Sequence, residues 1–222
     1  MRTAPMAAAA TPMKTNTGLI RIASACRAAM ARLATAMGYA AGWGFILCAL
    51  LITADVVARN TIGISSQSTT ELTGYMLALG LTWGLAHALA QRAHVRIDVL
   101  INRLPLRLRL WLHLFSLALL GVFAAFLAYG AFSLVQESLL FGATDISLLR
   151  TPLAVPQGLW AAGLVVFVVF VVLMLIENTL LVLAGRAEEA EANLSTRTYT
   201  EEAEEALSAL QDVRTVDKAA GA

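Results

Sequence analysis

Charge is scarce in this chain of 222 residues: Asp, Glu, Lys and Arg make up 14% of it, beside 59% hydrophobic residues. A soluble domain carries roughly a quarter charged residues, so a water-exposed globule is a poor fit. Cysteine is nearly absent. Cys26 and Cys48 have no matching partner on an oxidising side, which excludes a disulfide framework and leaves both as small apolar packing residues. A glycine-rich phosphate loop, a nucleophile elbow and zinc-ligand spacing are missing, and with them the chemistries they serve. No acid lies deep in an apolar run and no internal repeat stands out, features that ion pathways and self-sufficient secondary transporters usually show. Neither an enzyme, a metal site nor a nucleic-acid partner is expected.

What the chain does have is apolar residues in four blocks, with spans expected at about 37–58, 71–91, 110–135 and 157–183. Roughly 20 residues rising ~1.5 Å each cross a ~30 Å hydrocarbon core. Lipid offers no hydrogen bonds, so only helices or closed barrels cross it, and these runs lack the alternation of barrel strands. The expected fold is an all-α membrane protein with four transmembrane helices over 37–184.

The net charge of +1 conceals an asymmetry. Residues 1–36 hold Arg2, Lys14, Arg21, Arg27 and Arg32 and no acid, and residues 90–109 hold Arg92, Arg96, Arg103, Arg107 and Arg109 against Asp98. The connections 59–70 and 136–155 carry Arg59 and Arg150 as their only bases. Basic loops stay cytoplasmic, so both termini and the central loop are expected inside, an N-in/C-in topology. The first span is too long and too far from the start to read as a secretory leader.

Outside the membrane domain, residues 1–16 read as disordered. Residues 17–36 read as an interfacial amphipathic helix. Leu19, Ile22, Ala23, Cys26, Met30, Leu33 and Met37 form its apolar stripe, with Arg21, Arg27 and Arg32 off it. A plain extension of the first span is the alternative. Residues 185–222 hold nine acids and four bases, an acidic cytosolic tail, with a possible helix over 200–213 carrying Leu207, Leu210 and Val213 on one side. The connection 137–156 is expected to run along the membrane surface.

Several residues invite a functional reading. Asp55 and Arg59 are spaced to pair on one helical face. Glu71 either closes a capping box with Ser68 or pairs with Arg59 across the short loop. Gly80, Gly84 and Ala88 recur every fourth residue, a close-packing face for another helix. Pro105 suits the first turn of the third span. His94 and Asp98, four apart, form either a structural hydrogen bond or the core of a small membrane enzyme's site. His87 and His113 stand at similar depth on the second and third spans. They read as interfacial histidines or, alternatively, as haem ligands of a cytochrome b-like electron-transfer subunit.

The order of these features resembles a known family. A first span closing in "VVARN", then "TELTGYMLALGLTWGLA", "RAHVRIDVLINRLP" and "LLRTPLAVP" resemble the small permease subunit of TRAP transporters, the DctQ-like component, over about residues 38–184. Arg59, Glu71, Gly80, His94, Asp98 and Pro105 match characteristic positions, whereas Thr69 and Thr70 stand where many relatives carry a tryptophan. The resemblance implies a bacterial inner-membrane protein without a cofactor. Its implied partners are a large sodium-driven permease subunit and a periplasmic solute-binding protein that delivers an organic acid such as a C4-dicarboxylate. The role it implies is to brace the large subunit in membrane lipid.

Overall fold

The computed structural model describes residues 16–64, 68–92, 104–147, 149–195, 207–208 and 210. Five helices organise them: α1 (Asn16–Thr61), α2 (Thr69–Ala90), α3 (Leu106–Phe141), α4 (Ala154–Leu183) and α5 (Ala187–Leu194). The first four are long and apolar enough to cross a membrane, as the sequence blocks predict. The helices start and stop where local chemistry dictates. Pro105, with φ −60° and ψ 145°, sits at the N-cap of α3, where a missing N–H is harmless. Gly185 ends α4 with φ +75°, and Arg186 N–H bonds Leu181 O at 2.9 Å. This left-handed closure turns the chain into α5.

α4 is the axis of the bundle. It packs against α1, α2, α3 and α5. Phe167, Phe170, Val171 and Met174 of α4 meet Leu114, Leu117 and Ala124 of α3, Ala86 and Leu89 of α2, and Ile20 and Ala34 of α1 in one core. Lipid supplies no hydrophobic force between such helices, so close van der Waals fit holds them together.

The structure adds detail at three places. The interfacial helix 17–36 and the first span form one continuous helix of 46 residues, the plain extension that the sequence left as an alternative. No proline interrupts 16–61 and alanine fills much of 23–41, so nothing breaks the helix. The face of this helix that packs inside the chain is not its most hydrophobic one. Leu19, Ile22 and Leu33 are exposed, while Ile20, Ala23, Ala34 and Ala41 are buried, because small side chains admit a close neighbour. The connection after α3 folds back on itself: Thr144 and Pro152 form an antiparallel bridge, and Leu153 N–H bonds Ala143 O at 3.0 Å. Finally, the tail begins as a docked element. Ala190 and Leu194 of α5 are buried, and Arg92 after α2 donates to Ala192 O at 2.7 Å.

Candidate functional site

Polar side chains gather at the two ends of the bundle. At the end bearing the 142–153 connection, the Tyr75 hydroxyl stands 2.9 Å from Glu71 Oε1 and 2.7 Å from Asp145 Oδ2. Ser147 Oγ also donates to Glu71. The first two turns of α2 thus grip the connection between α3 and α4. Tyr75 has one proton for two carboxylates, so Glu71 leans on Ser147 while Asp145 takes the Ser147 amide at 3.3 Å. The Tyr75 hydroxyl, above all, with the amides of Ser147 and Ile146, holds the Asp145 carboxyl below its ordinary value of 3.8.

The sign of that shift sets a pH window. A carboxyl depressed in the fold stabilises above its unfolded value and stops doing so as pH falls through the folded one. The clasp is therefore expected to hold unchanged from pH 8 to pH 5 and to lose this support only below the ordinary value of 3.8, as pH falls through the depressed folded value. Tyr75→Phe removes the shared hydroxyl at every pH. It should loosen the connection by about 1–2 kcal/mol, read as roughly 5–30-fold faster exchange of the Asp145 and Leu153 amides. Unchanged exchange in that variant would mean that the backbone bridge alone holds the segment.

The opposite end carries two ion-pair groups. Arg27 of α1 grips Glu177 of α4 through two nitrogens, Nε on one oxygen and Nη2 at 3.3 Å on the other. The Glu177 side chain is 4% exposed and that of Arg27 29%. Arg109 Nε of α3 meets Glu191 Oε1 of α5 at 2.5 Å, with His113 Nε2 at 3.8 Å from the same oxygen. Glu191 fastens the start of the acidic tail beneath α3.

Between the ends, glycines let large side chains reach neighbouring backbone. A Cβ on Gly38 would lie 2.5 Å from the His87 ring, one on Gly80 would strike the Phe45 ring, and one on Gly163 would lie 2.6 Å from Trp83 and 2.8 Å from Thr82 Oγ1. Trp83 Nε1 also donates to Leu159 O at 3.1 Å.

These contacts decide among the readings. Arg59 pairs with Asp55 at 2.6 Å and not with Glu71. Ser68 is the N-cap of α2 but makes no side-chain cap bond, so the capping box is not formed either. Glu71 turns to Tyr75 and Ser147 because the folded-back connection brings Ser147 to it. Gly80 serves contact inside the chain, whereas Gly84 meets nothing within 4 Å. The haem alternative is not supported. His87 lies against Gly38 and Tyr39 of α1, and His113 faces Glu191 of α5. His94 and Asp98 fall in 93–103, outside the described residues. Sequence reasoning missed Tyr75, Asp145, Glu177 and Glu191. Only the periodicity of Ala187, Ala190 and Leu194 hinted that α5 docks, and only the isolated acid near the end of the fourth span hinted at Glu177.

Residues 48–180 match the family model described as "Tripartite ATP-independent periplasmic transporters, DctQ component". The match ends before α5 and begins in the last third of α1. Neither a curated protein nor a solved structure matches the chain.

Proposed function

The chain belongs to the DctQ component family, the small membrane subunits of TRAP transporters, and from that premise we propose that it is a non-catalytic brace for the large permease subunit. It is a multi-pass protein of the bacterial inner membrane. In this reading the large subunit moves an organic acid of the C4-dicarboxylate kind on a sodium gradient, after a periplasmic binding protein delivers it. The end bearing α5 lies in the cytosol, in keeping with the arginines of 1–36 and 90–109. The Tyr75 clasp then faces the periplasm, where the binding protein arrives.

The observation that carries the reading is the bareness of α1. Only 6% of its most apolar stretch is buried by its own chain, against 33% for α4. Tyr39, Trp43, Ile46, Leu50 and Val57, spaced by three, four or seven, form one outward stripe, and Leu77 and Leu81 with Gly84 form another on α2. Ridges beside a small-residue gap are what a packed helix partner uses in lipid. The buried acids at the ends, Glu177 and Glu191, are taken up by internal pairs, which fits a rigid support.

Cysteine cross-linking tests the facing. Leu50→Cys should cross-link to the large subunit in native membranes, and Phe126→Cys on the exposed face of α3 should not. Gly84→Leu should lower co-purification of the large subunit while the isolated chain keeps wild-type stability, since a side chain there meets open space. Cross-linking at Phe126 without any at Leu50 would place the partner on the wrong side of the bundle.

A further inference from the structure

A cavity of about 300 Å³ opens between the start of α3, the end of α4 and the start of α5. That volume lies at the low end of small-ligand sites, roughly 300–1,000 Å³. Leu110, Leu114, Val182 and Ala187 make its walls apolar, and Arg107 and Trp111 complete the lining. Gly185, left-handed at φ +75°, swings α5 aside and so leaves the space open.

The charges around the cavity are unequal. Arg109 is neutralised by Glu191, Arg186 by Glu189 at 2.5 Å, and Arg27 by Glu177. Arg107, exposed and in the same turn as Arg109, makes no hydrogen bond or ion pair with any described residue. It stands just before the apolar run 110–135, at the level where a spanning helix leaves hydrocarbon for headgroups. Trp111, 67% exposed, lies one turn deeper, the position of an interfacial aromatic belt. An uncompensated cation at headgroup height above an apolar cleft calls for a ligand with an anion at one end and hydrocarbon at the other.

We propose that this cleft is a binding site for one anionic phospholipid, its phosphate on Arg107 and the top of an acyl chain against Leu110, Leu114 and Val182. The lipid would fill the wedge between α3, α4 and α5 and so keep α5 docked at the membrane surface. A soluble phosphate would satisfy Arg107 but leave the apolar walls bare. A segment of the large subunit would need an acid above an apolar side chain to do the same.

Native mass spectrometry of the full chain in micelles tests the site, with dioleoyl phosphatidylglycerol, dioleoyl phosphatidylcholine and inorganic phosphate as probes. Phosphatidylglycerol should bind about fivefold more tightly than phosphatidylcholine or better, the factor one basic residue supplies at an anionic surface. Arg107→Gln, which breaks no internal pair, should erase that preference, and Arg107→Lys should keep most of it. Ala187→Phe should lower retention of both lipids by filling the space. Equal binding of the two lipids by the wild-type chain, or a preference that survives Arg107→Gln, would overturn the proposal. So would displacement of the lipid by low-millimolar phosphate, which would mark a site for a free anion. A preference seen only after removal of residues 196–222 would show that the acidic tail holds Arg107, and would overturn it equally.

Discussion

Arg27→Ala should destabilise the bundle by about 3–5 kcal/mol, the usual penalty for stripping a buried charge of its counterion. Glu177 lies nearly covered in the last third of α4, its side chain 4% exposed, and the Arg27 fork is its charged partner. Without the guanidinium the buried carboxyl loses its counter-charge and two hydrogen bonds and draws water between α1 and α4, which weakens the join. The reverse change is gentler. In Glu177→Gln the stranded cation, 29% exposed, can swing its long side chain to the headgroups, for about 1 kcal/mol. The double variant Arg27→Met with Glu177→Leu should recover most of the loss, since an apolar pair of similar volume commonly equals a buried ion pair. Unfolding by SDS in mixed micelles, followed by circular dichroism, reads all three. Equal losses for Arg27→Ala and Glu177→Gln would refute the asymmetry, and with it the idea that burial of Glu177 governs this contact.

Arg27 also shows where sequence reasoning reaches its limit. The four spans, the helix start at Pro105 and the Asp55–Arg59 pair were legible because each depends on residues near one another in sequence. The register of α1 was not. Leu19, Ile22 and Leu33 made the more hydrophobic stripe, but in lipid hydrophobicity does not choose the inner face. Fit chooses it, and the smaller Ala23, Ala34 and Ala41 won, carrying Arg27 inward with them. Glu71 failed for a different reason. Its partner Ser147 is 76 positions away, and nothing short of the folded connection brings the two together. His87 and His113 matched in depth, yet depth along a helix says nothing about what each ring turns to: Gly38 and Tyr39 for His87, Glu191 for His113.

Fit gives the second large effect, at Gly163. Gly163→Leu should lower stability by about 3 kcal/mol or more, at or above the upper end of ordinary core overpacking. A Cβ there already falls 2.6 Å from Trp83 and 3.0 Å from the Cβ of Thr82. Thr82 is 2% exposed and its hydroxyl bonds Ala78 O at 3.1 Å, so it has nowhere to go. Trp83 would retreat only by giving up its bond to Leu159 O. Gly80 differs, because the Phe45 ring it receives is 41% exposed and can turn outward. Gly80→Ala should therefore lose about 1 kcal/mol or less. At Gly84, where no atom lies within 4 Å, leucine should leave stability unchanged. The same micelle unfolding experiment ranks the three as Gly163, then Gly80, then Gly84. The ranking for assembly differs in kind: Gly163→Leu prises α2 from the axis and takes the outward face of α2 with it, whereas Gly84→Leu spoils that face on an intact bundle. Gly163→Leu as stable as Gly84→Leu would show that α2 is not seated on α4 through this glycine.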